Sequence, residues 1–368
     1  MKKIKILLTG GHAATTGIAV VEEIKKTANL KDAEIYWIGS KTAIEGSKLS
    51  TIESQIFPKI GVKFVSIIAG KLQTKFTIHT IPSILKIPIG FIQAFWFLIK
   101  IRPNVTLSFG GYSSFPVVFW SWVFRIPVII HEQTTVFGRA SASSAFFATK
   151  IVLAREESIK YFPKNKSVVT GNPLMTNILE VKPKIHSGNP PIILVIGGSR
   201  GSNFINELMI ETVKTLLSHF KIIHVTGEKD FKMVEKGRES LSPVLNQNYE
   251  TFSSVNPLEM GELYSQSDLI ISRSGANSIS EILSVKRPAI LIPLPRTFMG
   301  EQVKNAQYAR DFGIATVFLE KEATPSAIIT EINRLFNDWQ DVVNKVSKKE
   351  SPDINASKKV VDILQKYI

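Results

Sequence analysis

The sequence predicts an α/β protein of two domains, each a parallel sheet covered by helices. Three observations predict it. Short apolar, β-branched runs alternate with helix-period segments through most of the chain. A glycine-rich loop follows the first strand of each half, at "LLTGGHAATTG" and again at "IGGSRGSN". At 368 residues, the chain is also too long for one ordinary core.

The elements follow in order. In the first half, strands are read at 4–9, 34–38, 62–68, 104–109, 126–130, 149–153 and 166–170, from their β-branched apolar runs. Helical periodicity fills 17–27, 84–101, 115–124 and 139–148. Residues 182–191, "KPKIHSGNPP", break the alternation with three prolines and a glycine and read as the connection between domains. "PIILVIGGSRGSNFINELM" then opens a second strand–loop–helix unit, with further strands near 221–226, 268–272, 288–293 and 314–318. The last stretch, from Ser351-Pro352, carries apolar Val360, Val361, Ile363, Leu364 and Ile368 and reads as an amphipathic helix able to dock on either domain.

A hydrophobic share of 44% with 21% charged residues describes a folded chain and excludes a disordered one. The absence of cysteine excludes disulfides and thiolate metal sites, which fits a reducing compartment. The excess of 45 Lys and Arg over 31 Asp and Glu, a net +14, points to an anionic partner. Nucleic acid fits least, because the basic residues are scattered and no zinc finger, RNP element or arginine-rich block occurs. "MKKIKILLTGG" reads as a first buried strand rather than a signal peptide, its apolar core being only Ile6 to Leu8. No stretch reaches the ~20 apolar residues of a spanning helix. The nearest is Ile87 to Ile99, bracketed by Lys86 and Lys100 and suited to burial or to a membrane interface.

Ligands of parallel α/β sheets gather at strand C-termini, so polar residues there are the candidates. In "IGGSRGSN", Gly198, Ser199, Arg200 and Gly201 lie between a strand and a helix, where free amides and the helix dipole meet an anion. A purely structural turn is the alternative. "LIISRSGANSISEIL" repeats the arrangement with Arg273, Ser274, Gly275 and Ala276, and Glu281 stands about a turn and a half further on, where a carboxylate accepts from a ribose diol. Two such loops in one domain point to a nucleoside diphosphate better than either alone. Glu301, Gln302 and Asn305 share one helix face and form a candidate sugar-binding surface, or simply a solvated one. In the first half, "SFGGYSSFP" is another glycine junction, with Gly110, Gly111 and Tyr112. "IIHEQTTVFG" sets His131, Glu132 and Gln133 directly after a buried strand, as a ligand site or as a structural cap. His12 sits on the first glycine turn with Thr9, Gly10 and Gly11. No His, Asp and Glu spacing resembles a metal site, and no serine carries a nucleophile elbow.

Taken together, "TGGH", "SFGGYSSFP", "PVIIHEQ", "TGNP", "LVIGGSRG", "SRSGANSISE" and "EQVKNA" occur in the order and spacing of one family over essentially the whole chain. The sequence resembles the MurG family, glycosyltransferase family 28. The resemblance implies a GT-B fold: two Rossmann-like domains with parallel sheets facing a central cleft. It implies an inverting transferase with no required cofactor or metal. The enzyme would move GlcNAc from UDP-GlcNAc to undecaprenyl-diphosphate-linked MurNAc-pentapeptide in peptidoglycan synthesis. An acceptor-binding, membrane-associating domain is expected at 1–172, with the helix of 352–368 docking back on it, and a UDP-sugar domain at 173–351. By position, Ser199 with its glycines and Ser274 to Ala276 would meet the diphosphate, Glu281 the ribose, and Gln302 and Asn305 the GlcNAc. Thr9 to Gly11, Gly110 to Tyr112, His131, Gln133 and the Asn172 of "TGNP" would face the acceptor. His12 is the expected base that deprotonates the attacking hydroxyl, with Glu132 as its alternative. Loop amides and helix N-termini would meet the charge of the departing UDP.

The chain also departs from the family pattern. The first glycine loop is shortened to Thr9-Gly10-Gly11-His12 and "AATTG" replaces its proline region. Thr134 stands where asparagine usually follows "HEQ", Met175 where arginine follows "GNP", and Glu301 where the first of two glutamines is expected. Residues 71–102 combine Lys71, Lys75, Lys86, Lys100 and Arg102 with Ile87, Ile89, Phe91, Ile92, Phe95, Trp96 and Phe97. An apolar patch ringed by cations suits peripheral attachment to an anionic membrane surface, here the cytoplasmic face. The rival expectations are a transferase for another UDP-sugar or glycolipid, a UDP-GlcNAc epimerase, and a catalytically impaired membrane-associated sugar-nucleotide binder.

Overall fold

The computed structural model describes residues 3–11, 13–42, 50–68, 70, 80–198 and 200–368. The chain divides into two compact units, Met1–Met175 with Pro352–Ile368, and Thr176–Ser351. In unit 1 the elements run β1 (Lys5–Thr9), α1 (Ala14–Lys26), β2 (Glu34–Gly39), α2 (Ile52–Ile56), β3 (Lys63–Ser66) and α3 (Thr80–Ile101). They continue as β4 (Val105–Ser108), α4 (Ser114–Val123), β5 (Val128–Glu132), α5 (Arg139–Ser144), β6 (Lys150–Leu153) and β7 (Ser167–Val169). Unit 2 opens with α6 (Thr176–Leu179), β8 (Ile192–Ile196), α7 (Asn203–Leu216), β9 (Lys221–Val225), α8 (Phe231–Glu239), α9 (Pro243–Asn246) and β10 (Tyr249–Phe252). It closes with α10 (Met260–Gln266), β11 (Leu269–Ser272), α11 (Ala276–Val285), β12 (Ala289–Leu291), α12 (Glu301–Phe312), β13 (Ala315–Val317), α13 (Pro325–Asn337) and α14 (Trp339–Ser347). The last helix, α15 (Ala356–Gln365), belongs to unit 1.

Each unit holds one wholly parallel sheet. The strand orders are β3-β2-β1-β4-β5-β6-β7 and β10-β9-β8-β11-β12-β13. Central strands such as β4 are buried along their whole length, as a sheet covered on both faces requires. Connection order reverses between β1 and β4 in unit 1 and between β8 and β11 in unit 2, and at such a switch point the loops beyond the strand ends leave a crevice. The glycine loops of the sequence are the loops that follow these four strands. Topology alone therefore brings "TGG" beside "FGG" and "GGSRG" beside "RSG".

Three features differ from the sequence reading. Strand β10, "YETF", was not expected: it is a four-residue edge strand with only Tyr249 buried, too short and too polar to stand out. Helix α3 begins earlier than residue 84 and runs through Pro88. The proline-rich 182–191 segment lies within unit 2 and does not form the connection. Asp268 binds it through Lys184 Nζ at 2.7 Å and Gly188 N at 3.1 Å, and Arg287 donates to the Lys182 carbonyl at 3.0 Å.

The terminal helix packs against α1, burying Ala356, Val360, Val361 and Leu364. Each of the larger side chains, Val360, Val361 and Leu364, contributes about 2 kcal/mol by its burial. Just before it, Asp353 forms a bidentate, fully buried pair with Arg155, at 2.6 and 2.8 Å, and also accepts from Asn172 N at 2.7 Å. This joins the C-terminal segment to the ends of β6 and β7 with charge-assisted bonds.

Candidate functional site

Unit 2 carries two loops with open ground in front of them. After β8, Gly201 adopts φ +77 and packs so closely on Thr226 that an added Cβ would lie 2.1 Å from its carbonyl oxygen. Gly198, at φ +84, faces the other way, and nothing lies within 4 Å of where its Cβ would be. Ser202 caps α7 by accepting from Ile205 N, Arg200 is exposed, and Ser199 lies outside the described residues. After β11, Gly275 caps α11 with extended backbone and again has no atom near its missing Cβ, while residues 275–278 are half-buried. Two helix N-termini thus come to the same switch point with space beside their glycines, the arrangement that receives a phosphate.

The residues around these loops divide into those that brace and those that face outward. Arg273 was expected at the ligand, yet its guanidinium is spent within the protein. It donates to Ser202 Oγ at 2.9 Å, to the Ile292 carbonyl at 3.1 Å and to Glu320 Oε1 at 2.6 Å, and it is buried. It ties the β8 loop to the β11 loop. Asn305, expected near a sugar, is 3% exposed and donates to the Ser274 carbonyl at 3.2 Å. Ser274 Oγ donates to the Gln302 carbonyl at 2.8 Å, and Gln302 Oε1 accepts from Leu294 N at 2.9 Å. These side chains therefore hold the "RSG" turn against α12 and the β12 loop, and half-buried Glu301 and Ala276 remain at the rim. Glu281 is different: the residue is half-buried, its carboxyl accepts from Tyr264 Oη at 2.8 Å, and burial pushes it up to about 7. Neither Tyr264 nor Glu320 carried a sequence signal, since each lies far along the chain from the group it holds.

The unit 1 junction is packed. Gly11 N donates to the Gly110 carbonyl at 3.0 Å, and an added Cβ on Gly111, at φ +89, would lie 2.7 Å from Gly11 N. Ser113 Oγ donates to the Gly10 carbonyl at 3.0 Å, and Thr9 Oγ1 to the Ile38 carbonyl at 2.8 Å. Gly110 N is taken by Ser108 Oγ at 3.2 Å, and Tyr112 stands half-buried at the edge. The amide after His12, Ala13 N, donates at 3.0 Å to Glu53 Oε1, a buried carboxylate from α2 that supplies negative charge at the start of α1. His12 itself lies outside the described residues.

The "HEQ" residues and Asn172 are also internal. His131 is wholly buried, Nε2 lies 3.2 Å from the Gly171 carbonyl oxygen, and burial lowers its pKa to about 4, so it stays neutral. Glu132, the alternative base, is engaged through both oxygens. Oε1 accepts from Gln133 N at 3.1 Å and Thr134 Oγ1 at 3.3 Å, and Oε2 from Gly138 N at 2.8 Å. It organises the 132–138 loop, and its pKa is raised by burial. Asn172 is fully buried beside Asp353, whereas Gln133 is half-buried at the loop. Of the expected acceptor residues, Gly11, Gly111, Tyr112 and Gln133 are the ones that are only half-buried.

A third surface lies on α3 and α4. Ala94, Leu98 and Ile101 turn inward to the sheet, while Leu85, Ile89, Ile92 and Trp96 form an exposed stripe at helical spacing. Exposed Trp122, Val123, Phe124 and Phe146 extend it, and Phe95 packs on Trp120 at 4.8 Å between ring centres. Lys100, Arg102 and Arg125 are exposed close by in sequence, and Lys71 and Lys75 lie outside the described residues. Among the described residues no helix is long and apolar enough to cross a membrane.

With this geometry in hand, comparison with known proteins is direct. The model of the glycosyltransferase family 28 N-terminal domain matches residues 9–153, and that of the family's C-terminal domain matches residues 192–366. A curated relative from Clostridium botulinum strain Hall is 33% identical over 99% of both chains. It is named UDP-N-acetylglucosamine--N-acetylmuramyl-(pentapeptide) pyrophosphoryl-undecaprenol N-acetylglucosamine transferase. Among solved structures, Acinetobacter baumannii MurG shares the fold at TM-score 0.70 and 22% identity over 99% of both chains. The UDP-GlcNAc 2-epimerase of Neisseria meningitidis, solved bound to UDP-GlcNAc, shares it at TM-score 0.66 and 17% identity over 99% of this chain and 100% of that one. Two parallel-sheet α/β units of the GT-B type, one matched by each domain model, together with the full-length relative at 33% identity, assign the chain to its family: it belongs to glycosyltransferase family 28.

Proposed function

We propose that this protein transfers GlcNAc from UDP-GlcNAc to an undecaprenyl-diphosphate-linked MurNAc-pentapeptide, the step that makes the disaccharide lipid of peptidoglycan synthesis. The observation that carries the reading is the end-to-end relation, at 33% identity, to a transferase of that name. In this reading unit 2 binds the nucleotide. The diphosphate lies at the N-termini of α7 and α11 beside Gly198 and Gly275, and the ribose lies at Glu281. Unit 1 binds the acceptor near Gly11, Tyr112 and Gln133.

In the reaction, an acceptor hydroxyl oxygen attacks the anomeric carbon from the face opposite UDP. The new C–O bond forms as the bond to the UDP oxygen breaks, and configuration inverts. His12 takes the hydroxyl proton. Glu132 is not favoured for that task, because the loop amides it accepts from already occupy it. Helix N-termini stabilise the leaving diphosphate, and no metal is required.

The α3–α4 surface sets the protein on the anionic cytoplasmic face of the membrane, where the acceptor lipid resides. Exposed Trp and Phe among Lys and Arg are the composition such a surface selects. Flotation with anionic vesicles at low salt tests this: co-flotation of the wild type, lost on Trp96→Glu, is expected, and wild-type protein that stays at the bottom contradicts it.

The second reading is UDP-GlcNAc epimerisation, favoured by the likeness to the Neisseria enzyme. Labelled UDP-GlcNAc incubated with the lipid acceptor separates the two. Labelled disaccharide lipid, abolished by His12→Ala, supports transfer. Conversion of the free UDP-sugar with an unlabelled lipid supports the epimerase.

A further inference from the structure

Glu281 is an unusual carboxyl. It is largely desolvated, its pKa is pushed up to about 7, and no cation contributes to that shift. Buried carboxylates normally have a positive partner, and one without it signals a functional site. Its two oxygens are not equivalent. Oε2 accepts the Tyr264 phenol at 2.8 Å, whereas no described residue donates to Oε1.

Tyr264 is held so that it offers this one bond. The ring is 1% exposed, and its hydroxyl donates only toward Glu281. Helix α10 lies close against α6 because Gly261 has no side chain: a Cβ there would fall 2.2 Å from the Asn177 carbonyl oxygen. Ser267 Oγ donates to the Tyr264 carbonyl at 3.0 Å and closes the end of the helix. A rigid donor on one carboxylate oxygen fixes the plane of the group and directs the other oxygen outward.

We propose that Tyr264 is a positioning residue that makes Glu281 selective for ribose over deoxyribose in the nucleotide donor. It does not touch the nucleotide. By occupying Oε2, it holds Oε1 where a ribose hydroxyl donates to it, and a nucleotide lacking the 2′-hydroxyl leaves that oxygen unsatisfied. The inference rests on the nucleotide reading of unit 2 and specifies which group of the nucleotide is read, and how.

The test is calorimetric titration of the full chain with UDP and with 2′-deoxy-UDP. The wild type should prefer UDP by about tenfold or more, the scale of one hydrogen bond to a charged group. Tyr264→Phe should weaken UDP by about tenfold, leave 2′-deoxy-UDP within about twofold, and so abolish the preference. Glu281→Asp, which keeps the phenol but draws the carboxyl out of its reach, should do the same. Adding Tyr264→Phe to Glu281→Gln should cause no further loss, because both act through one contact. Equal weakening of both nucleotides by Tyr264→Phe would reduce the residue to a structural role and overturn the inference. A wild-type preference that survives in both Tyr264→Phe and Glu281→Asp would overturn it as well. Wild-type protein that binds UDP with no preference would overturn the ribose reading together with the inference, whereas the first two results leave that reading standing.

Discussion

In unit 1, an added Cβ on Gly111 would lie 2.7 Å from the Gly11 amide nitrogen, whereas in unit 2 one on Gly275 would meet nothing within 4 Å. Both glycines follow the central strands of a parallel sheet at its switch point. One pair of loops uses glycine so that two backbones touch. Three amides there are consumed: Gly11 N by Gly110, Ala13 N by Glu53, Gly110 N by Ser108. In the other pair, Gly201 packs against Thr226, but Gly198 and Gly275 have nothing within 4 Å of a missing Cβ, the space that the proposed diphosphate would take. A glycine-rich turn after a strand is therefore not in itself an anion cradle. Where its amides go decides the matter, and among the described residues Gly198 and Gly275 are the loop glycines of these four junctions with no atom near a missing Cβ.

Substitutions turn this contrast into measurements. The largest effect is expected from Gly111→Ala, which forces a Cβ into backbone at φ +89 and should cost about 3 kcal/mol, read as a lowered melting temperature. A wild-type melting temperature would mean that the unit 1 junction is not packed. Next comes Arg273→Met, which removes the donor to Ser202, Ile292 and Glu320 and should cost about 2 kcal/mol in urea unfolding. If the arginine instead contacts the nucleotide directly, affinity collapses while stability holds. Gly275→Ala should do the reverse of Gly111→Ala. It should leave the melting temperature within a few degrees and weaken UDP-GlcNAc about tenfold, or about 1.4 kcal/mol, by crowding the start of α11.

The mildest effect is pH dependence. The Glu281 carboxyl titrates at about 7 and must be ionised to accept from a ribose hydroxyl without losing Oε1 to a proton. UDP-GlcNAc affinity should rise as pH increases through that value, and Glu281→Gln should flatten the profile. The sign for stability is opposite. A carboxyl raised by folding contributes most below the ordinary carboxylate range, and that contribution is lost as pH rises through about 7.

Much of the architecture was legible because parallel strands buried on both faces leave continuous apolar runs, as at Ile6 to Leu8 and Leu269 to Ile271. Edge strand β10 was not, since "YETF" buries only Tyr249. Loop positions were legible too, because glycines and polar residues end each run. The roles of individual side chains were less so. Glu132 and Arg273 look like chemistry in the sequence, yet both side chains hydrogen-bond to loops of their own units. Glu53 lies 40 residues from the amide it holds, and Tyr264 17 residues from Glu281, separations that no local pattern reveals.

Hydrogen–deuterium exchange on the full chain, with and without UDP, tests the contrast most directly. Slowed exchange is expected at the amides of 197–202 and 275–279, with those of Gly11 and Ala13 unchanged. New protection at Gly11 and Ala13 with none at 275–279 would contradict it, placing the nucleotide on the junction where these two amides are already bonded.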